Sequence, residues 1–234
     1  MTVLFTGYYS PDFHASRIPS NAFRAPLYER PEDLVTDPAS GTPLGRQCTN
    51  GSIEPWPARR ELEASGELEG TELVYVRDDL DAYTIQVNGS ARLRMDDGEL
   101  MYIGYAGKTD QPYTALGHSV LDAGLILEDK LSLRANRRLY DKNPEQVNDL
   151  IANNASYVFF REYNGGNWPA GSLGVPVTAE RSIATDKKIF PRGGVVLVDT
   201  TVRSLTGEKQ TFTQFMTDQD TGGAIRAPGR ADLF

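Results

Sequence analysis

The length, composition and charge of this chain exclude several protein classes. Its 234 residues are 39% hydrophobic and 24% charged, the composition of a globular protein with enough apolar residues for one or two cores. A net charge of −8 repels polyphosphates, so we expect no nucleic-acid partner. No apolar run approaches the roughly 18 residues that span a bilayer, and the sequence therefore predicts no transmembrane segment.

Soft metal ligands are scarce in this sequence. Cys48 is the single cysteine and cannot form an internal disulfide, and His14 and His118 are the two histidines. A closed zinc site needs about four such ligands, so we expect no structural zinc.

The first half of the chain shows two patterns. Residues 10–57 are dense in proline, which excludes regular helix and predicts a long loop over a surface. From Tyr83 to Met95 apolar residues or glycine alternate with polar ones, which predicts one long half-buried strand bent at Gly89. Asp96-Asp97-Gly98 then predicts a hairpin turn into a strand over Leu100–Tyr105.

After Gly117 the apolar spacing becomes helical. It predicts short helices with a break at Gly124, and Asn143-Pro144 is typical of a helix cap and first helical residue. Strand character returns in three segments between glycine and proline turns, so the last third is predicted to be all β: Tyr157–Arg161, Gly194–Asp199 and Gln210–Met216.

The most chemically suggestive segment is Asp218–Ile225, followed by Arg230–Phe234. A calcium loop is one interpretation, because Asp218, Asp220 and Gly223 occupy its first, third and sixth places. The twelfth place is Gly229 rather than the bidentate glutamate that such a loop needs. An aspartic protease is another, but Asp220-Thr221-Gly222 has no second copy to share a proton with. We therefore expect no metal and no cofactor.

Several blocks in order give the chain its clearest identity: Thr6–Pro11, Tyr75–Asp78, Gln86–Leu93, Gly104–Lys108, Asn154–Glu162, Gly174–Thr178, Asp220–Ile225 and Arg230–Phe234. Together they resemble the membrane-bound lytic transglycosylase A family of bacterial peptidoglycan turnover. The last two blocks resemble that family's three-aspartate domain.

The resemblance implies a mainly β fold in two domains. Residues 1–12 and 163–234 are expected to form a double-psi β-barrel from both chain ends. Residues 13–162 are expected to form an inserted β-barrel-like domain with a few short helices, across a groove from the first.

By motif position, Asp232 matches the family's catalytic acid, and Asp218 and Asp220 match the other two aspartates of the trio. Arg230 beside Asp232 would favour the ionised carboxylate, so we expect Arg230 to face Asp218 or backbone carbonyls instead. Substrate contacts are predicted from strand parity and charge, on two strand faces and one basic position: Thr6 and Tyr8, then Gln86, Ser90 and Arg92, then Lys108.

The implied activity is cleavage of the β-1,4 bond between N-acetylmuramic acid and N-acetylglucosamine, leaving 1,6-anhydromuramic ends. A non-catalytic module that binds wall polysaccharide is a second hypothesis. A glycoside hydrolase is a third, with Glu162 or Asp186 as its second carboxylate.

The implied partners are peptidoglycan glycan strands and other cell-wall enzymes. The implied location is the periplasm. Family members carry a lipoprotein signal that this sequence lacks, so we expect the full-length form to be anchored in the outer membrane.

Overall fold

The computed structural model describes residues 3–38, 41–203, 208–223 and 225–234. The chain divides into two compact units, one of Met1–Ser10 with Tyr163–Phe234 and one of Pro11–Glu162. Over the described residues as a whole, strands outnumber helices, and the α-helices, all short, lie in the second unit, so the expected mainly β fold class is confirmed. Among the described residues, no helix is long and apolar enough to cross a membrane.

The strands of the described residues are β1 (Leu4–Gly7), β2 (Asp12–Ser16), β3 (Ala25–Tyr28), β4 (Leu34–Thr36), β5 (Pro43–Gln47), β6 (Ile53–Glu54), β7 (Glu72–Val76), β8 (Ser90–Met95), β9 (Leu100–Lys108), β10 (Val158–Tyr163), β11 (Ser182–Ala184), β12 (Val195–Arg203), β13 (Lys209–Asp220) and β14 (Arg230–Leu233). The helices are α1 (Arg59–Ser65), α2 (Asp79–Asn88), α3 (Leu116–Asp122), α4 (Leu133–Lys142) and α5 (Pro144–Ile151), with 3-10 turns at Glu128–Lys130 and Gly165–Asn167.

The unit built from both chain ends contains a five-stranded sheet in the order β1-β14-β11-β13-β12. β1 runs parallel to β14 and β11 runs parallel to β13, while the other two pairs are antiparallel. Its core is a small apolar cluster of Ile183, Val198, Met216 and Ala231. The strands predicted over residues 194–199 and 210–216 are confirmed, and both extend further than the sequence indicates.

The second unit contains a six-stranded sheet in the order β10-β9-β8-β2-β7-β3, beside a small sheet of β4, β5 and β6. A parallel bridge between Glu29, just after β3, and Phe160 of β10 joins the two edges of the larger sheet. The sheet therefore curls toward a barrel, as the resemblance implies. Alternate residues of β8, among them Ala91 and Leu93, fill its core.

The prediction that the proline-rich segment forms a single long loop is wrong. The described residues of the segment 10–57 contain no helix, as predicted, but they form β2 to β6 as short strands. Proline is tolerated at strand ends and edges, and Pro43 begins β5 while Pro26 lies on β3 at the end of its sheet. The proline density therefore limits strand length rather than preventing strands.

The long strand predicted from Tyr83 to Met95 is also wrong in its first half. Residues 79–88 form α2, which begins where the Asp78 side chain accepts a 3.0 Å hydrogen bond from the Asp81 N–H. Gly89 ends the helix in the left-handed conformation, at φ 74°, and does not bend a strand.

The alternation of apolar and polar residues is misleading here because α2 packs against both the sheet and the other helices. Ala82 and Ile85 face the sheet core, while Leu80 and Tyr83 join a second cluster with the other helices. Tyr83 and Ile85 therefore lie on different faces of the helix, and Val87, the third apolar residue of the alternation, is 49% exposed, so the period of two does not mark one buried face. The hairpin turn at Gly98 is confirmed between β8 and β9, with Gly98 at φ 90°.

The helical region after Gly117 agrees with the sequence. Asn143 caps α5, whose first residue is Pro144, and Gly124 follows α3 with a positive φ. Val120, Tyr140, Val147 and Ile151 form a core shared by α3, α4 and α5.

Candidate active site

Asp232 lies on β14 between two neighbouring strands of the five-stranded sheet. In register, it faces Thr6 of β1 on one side and Ala184 of β11 on the other. The Thr6 hydroxyl donates a short hydrogen bond to Asp232 Oδ1. The Asp232 side chain is 18% exposed, so it is shielded and still reachable from solvent.

Asp220 lies in the same row of residues across the sheet. Ala184 is also in register with Asp220 of β13, and residues in register project from the same face. Neighbouring strands are about 4.8 Å apart, so the backbones of Asp232 and Asp220 are separated by roughly 10 Å. Ala184, which lies between them, contributes only a methyl group and is itself buried, with 2% of its surface exposed.

The Asp220 carboxylate is held by two backbone donors. It accepts hydrogen bonds from the Ser172 N–H at 3.0 Å and from the Thr221 N–H at 2.8 Å. Burial nevertheless raises the pKa of Asp220, and these N–H donors offset only part of that effect. Asp220 therefore holds its proton to a higher pH than an ordinary aspartate does.

Tyr8 brings a hydroxyl close to these carboxylates. Its ring packs on Phe234 with centroids 5.0 Å apart, and its N–H donates to the Leu233 carbonyl at 2.9 Å. The hydroxyl lies beside Asp220 but makes no hydrogen bond of good geometry with any described residue. Burial, followed by the negative charge of Asp220 and then of Asp232, raises the pKa of Tyr8, so the hydroxyl stays protonated.

The expectation that Arg230 faces away from Asp232 is wrong. Arg230 Nε lies 3.6 Å from Asp232 Oδ1, and Arg230 Nη2 lies 3.3 Å from the Thr6 hydroxyl oxygen, to which it donates. The reason is the strand period: residues 230 and 232 are two apart on β14 and project from the same face.

Asp218 is buried, with 1% of its surface exposed, and takes part in a separate set of interactions. It accepts a hydrogen bond from the Thr185 hydroxyl at 2.6 Å and pairs with the Lys187 ammonium group, which also donates to Thr185 at 3.1 Å. Thr185 also contacts the residue that follows Asp220, because the Thr185 carbonyl accepts a hydrogen bond from the Thr221 hydroxyl at 2.9 Å. The segment 185–187 thus ties the chain at Asp218 to the chain at Asp220.

Sequence reasoning missed Thr185 and Lys187. A signal was available in principle, since a buried carboxylate requires a cation or several donors. Local sequence does not show, however, that β11 runs beside β13.

The remaining predicted substrate contacts belong to the other unit. The predicted strand position of Gln86 is wrong: Gln86 lies on α2, is 5% exposed, and accepts a short hydrogen bond from Arg59. Ser90 and Arg92 share the outer face of β8 as predicted, and Lys108 ends β9. Arg92 makes a bidentate pair with Asp12, two bonds of 2.6 Å, and this pairing lowers the pKa of Asp12.

The two carboxylates proposed for a hydrolase have other contacts. Glu162 forms an exposed pair with Arg17 at 3.2 Å. Asp186 is buried and accepts a hydrogen bond from the Lys188 N–H at 3.0 Å. Across the described ranges, no group of three or more histidine, cysteine or acidic side chains is placed to hold a metal ion.

Comparison with known families decides the relationship. Residues 4–161 match the family described as MltA specific insert domain, and residues 181–234 match the 3D domain. The chain belongs to the MltA family.

Curated MltA relatives cover nearly the whole chain. It is 30% identical to the membrane-bound lytic murein transglycosylase A of Vibrio cholerae over 99% of its own length and 59% of that protein. It is 28% identical to the Escherichia coli K12 protein of the same name, over 96% of the chain and 57% of the relative. The chain thus spans somewhat under three fifths of the length of these relatives.

Solved structures of the MltA type are similar as well. A membrane-bound lytic murein transglycosylase from Agrobacterium tumefaciens superposes with a TM-score of 0.85 at 30% identity, covering 98% of this chain and 66% of the other. E. coli MltA with bound chitohexaose gives a TM-score of 0.81 at 26% identity, with coverages of 99% and 64%.

Proposed function

We propose that this MltA-family chain carries the catalytic site of a peptidoglycan lytic transglycosylase and that Asp232 is its acid and base. The observation that carries the proposal is the position of Asp232, within the matched 3D domain, between the Thr6 hydroxyl and the Arg230 guanidinium. Residues 1–12 and 163–234 are the catalytic domain in this proposal, and residues 13–162 are the inserted domain.

The chemistry needs only one carboxylate. Protonated Asp232 transfers its proton to the glycosidic oxygen, the bond to C1 of the muramic acid breaks, and that ring acquires oxocarbenium character. Asp232, now a carboxylate, takes the proton of the C6 hydroxyl while that oxygen attacks C1. The products are a 1,6-anhydro ring and a free hydroxyl on the departing sugar, and Asp232 is protonated again. Because the nucleophile belongs to the same ring, no second carboxylate is needed to activate water.

The neighbours of Asp232 can stabilise the intermediate stage of this reaction. After the first proton transfer the carboxylate carries a negative charge, which the Thr6 hydrogen bond and the Arg230 charge at 3.6 Å stabilise. That negative charge also stabilises the positive charge on C1. Thr6 and Arg230 thus lower the energy of the intermediate stage.

Substrate contacts follow from what the other groups can still bind. The Tyr8 hydroxyl is protonated and lacks a well-formed hydrogen bond among the described residues, but its oxygen is buried, so Tyr8 is a weaker candidate for donation to a sugar oxygen. Ser90 and Lys108 keep their proposed roles. Gln86 and Arg92 are weaker candidates, because Gln86 is buried against Arg59 and Arg92 is paired with Asp12.

The substrate class is supported by the relatives. Those relatives are named murein transglycosylases, and the E. coli structure holds chitohexaose, a β-1,4-linked amino-sugar chain. We infer that glycan strands of peptidoglycan are the substrate here, that the protein acts in the periplasm, and that a lipid anchor holds the full-length form at the outer membrane. Other cell-wall enzymes are proposed partners. Fractionation of cells that express the full-length form, with and without globomycin to block lipoprotein processing, tests the anchor.

Mass spectrometry of digested, peptide-free glycan strands tests the reaction. We expect 1,6-anhydromuramic ends from the wild-type chain and none from Asp232→Asn. Reducing ends would instead indicate a hydrolase, for which Asp220 in the same row is a candidate second carboxylate. Binding to strands without any cleavage would indicate a carbohydrate-binding module.

A further inference from the structure

The segment of residues 130–142 concentrates positive charge in an otherwise acidic chain. It holds five Lys or Arg residues and one Asp, a net charge of +4, whereas the whole chain carries −8. Most of the segment is α4, which is anchored on its inner side by Tyr140, 3% exposed. Arg137 is used internally as well, because it pairs with Asp78 and Asp81 at the start of α2. Four cations remain, all of them exposed: Lys130, Arg134, Arg138 and Lys142.

Three of these cations form a stripe along α4. Arg134, Arg138 and Lys142 follow one another at intervals of four residues, so they lie on one face of the helix over about 12 Å. Among the residues that the structure describes, none of the three has an ion-pair partner, and Asp141 beside them pairs with Arg137 at 3.6 Å. Like charges at this spacing oppose helix formation. The stripe therefore does not stabilise α4, and its charge is available to a partner.

Two leucines near the stripe are exposed. Leu133, the first residue of α4, is 61% exposed, and Leu127, directly before the 3-10 turn that leads to α4, is 64% exposed. Glu128 and Asp129 lie on that turn, so the positive charge is concentrated on the helix itself. Exposed leucine beside basic residues is typical of a helix that lies in the interface of a membrane.

The net charge of −8 does not prevent this face from meeting an anionic surface. At physiological ionic strength the Debye length is about 8 Å, so acidic groups on distant parts of the chain are largely screened. A saccharide is a poorer fit than a lipid surface, because saccharides are commonly bound through exposed aromatic rings. Tyr140 is the single aromatic residue of the segment 125–142, and it is buried. Cations in a straight row with leucines at one end instead match anionic headgroups above acyl chains.

We propose that the outer face of α4, together with Leu127 and Leu133, docks on a membrane surface that contains anionic phospholipid. The cations of the stripe contact headgroup phosphates, and the leucines enter the boundary between headgroups and acyl chains. Such a contact is weak and reversible, so it would orient a chain that the proposed lipid anchor already holds at the membrane. It rests on the proposed membrane location and not on the chemistry of Asp232, so vesicle binding and glycan digestion can fail separately.

Co-sedimentation of the full chain with sucrose-loaded vesicles tests the docking. Vesicles of phosphatidylcholine mixed with phosphatidylglycerol are compared with vesicles of phosphatidylcholine alone. We expect the chain to bind the anionic vesicles at least about tenfold more tightly at low salt, and this difference to disappear at high salt. Equal binding to both kinds of vesicle, or binding to neither, overturns the proposal. The comparison uses the wild-type chain, so it is decisive even if a variant fails to fold.

Neutralising the stripe localises the contact. One cation at an anionic surface strengthens binding about fivefold, so removing three should weaken binding to the anionic vesicles about 100-fold. The test variant is Arg134→Gln, Arg138→Gln, Lys142→Gln. The matched control loses the same charge from exposed positions outside the segment and should stay within about threefold of the wild type: Arg17→Gln, Lys188→Gln, Lys209→Gln. An equal loss in both triple variants means that net charge governs binding, and it contradicts a role of α4.

Two further measurements test the leucines and the nature of the anion. Leu133→Ser should weaken vesicle binding about threefold, because it removes apolar surface that is exposed in the free chain. Unchanged binding contradicts insertion of this leucine. Binding to peptidoglycan sacculi with intact stem peptides is measured in parallel. If the triple variant loses affinity for sacculi while the wild type binds no vesicles, the cations recognise peptide carboxylates and the lipid assignment is wrong.

Discussion

The buried pair of Lys187 and Asp218 offers a quantitative test of how the candidate site is held. The Lys187 side chain is 11% exposed and the Asp218 side chain 2%. Replacing Lys187 by methionine keeps the aliphatic part but leaves the carboxylate buried, with the Thr185 hydroxyl as its remaining side-chain donor among the described residues. Removing one partner of a buried pair typically costs about 3–5 kcal/mol of stability. Because the Thr185 hydrogen bond remains, we expect Lys187→Met to lower the free energy of unfolding by about 3 kcal/mol.

Removing both charges should cost less than removing one. In the double variant Lys187→Met, Asp218→Leu no charge is buried, and the main loss is the Thr185 hydroxyl, which loses its acceptor at a cost of about 1–2 kcal/mol. The double variant is therefore expected to be at least 1 kcal/mol more stable than Lys187→Met alone.

Urea unfolding of the two units can be followed separately, because Trp168 lies in the unit of the chain ends and Trp56 in the other. Labelling with 5-fluorotryptophan gives one ¹⁹F signal for each unit, and the labelled wild-type chain is the reference because Trp56 is packed in a core. The loss should appear in the Trp168 transition, and Arg60→Met, which breaks an exposed pair, should move neither transition measurably. A loss below 1 kcal/mol in Lys187→Met, or a double variant less stable than the single one, refutes the reasoning.

Three further predictions concern the aspartate row. Asp232→Asn should lower the rate of anhydro-end formation at least 100-fold with an unchanged ¹⁹F spectrum, and more than a tenth of wild-type activity would count against Asp232 as the acid. Thr6→Val removes a hydrogen bond to a charged group, worth about 1.5 kcal/mol with Arg230 still in place, so kcat/KM should fall about tenfold while Thr6→Ser stays within about threefold. A valine variant as active as the serine variant contradicts that role. Burial raises the pKa of Asp220 above its ordinary 3.8, so its protonated form favours folding below that pH and this stabilisation is lost as the pH rises through the folded-state pKa. In urea unfolding, the free energy of unfolding of Asp220→Asn relative to that of the wild type should therefore be higher at pH 7 than at pH 3. If that difference is the same at both pH values, the explanation is wrong.

Local signals in the sequence predict local structure well. The Asn143-Pro144 cap, the Gly98 turn and the strands over 194–199 and 210–216 depend on residues close together in the chain, and each is confirmed. The strand prediction for Tyr83–Asn88 fails because Tyr83 and Ile85 contact two different neighbours of one helix, and neither neighbour is visible in the local sequence. The cap at Asp78 with the glycine at 89 was the better signal, since together they bound a helix.

The candidate site shows the same difference between local and long-range information. Motifs identify Asp218, Asp220, Arg230 and Asp232, but their surroundings depend on strand pairing. The Arg230 side chain faces Asp232 because of strand parity, which could have been read from the motif once it was placed on a strand. The role of Lys187 could not have been predicted from the motif, because its contact with Asp218 exists only after β11 and β13 are paired.

The bond between Thr6 and Asp232 shows why this site requires the whole fold. These residues are 226 positions apart, and closing a flexible loop of that length costs about 5 kcal/mol from chain entropy alone. One hydrogen bond to a carboxylate cannot offset that cost, so the pairing of β1 with β14 must rest on the rest of the sheet and its core. The intervening residues 11–162 reduce the cost, because they fold around their own core and no longer act as a free loop. A destabilised insert would therefore weaken the candidate site without touching any of its residues.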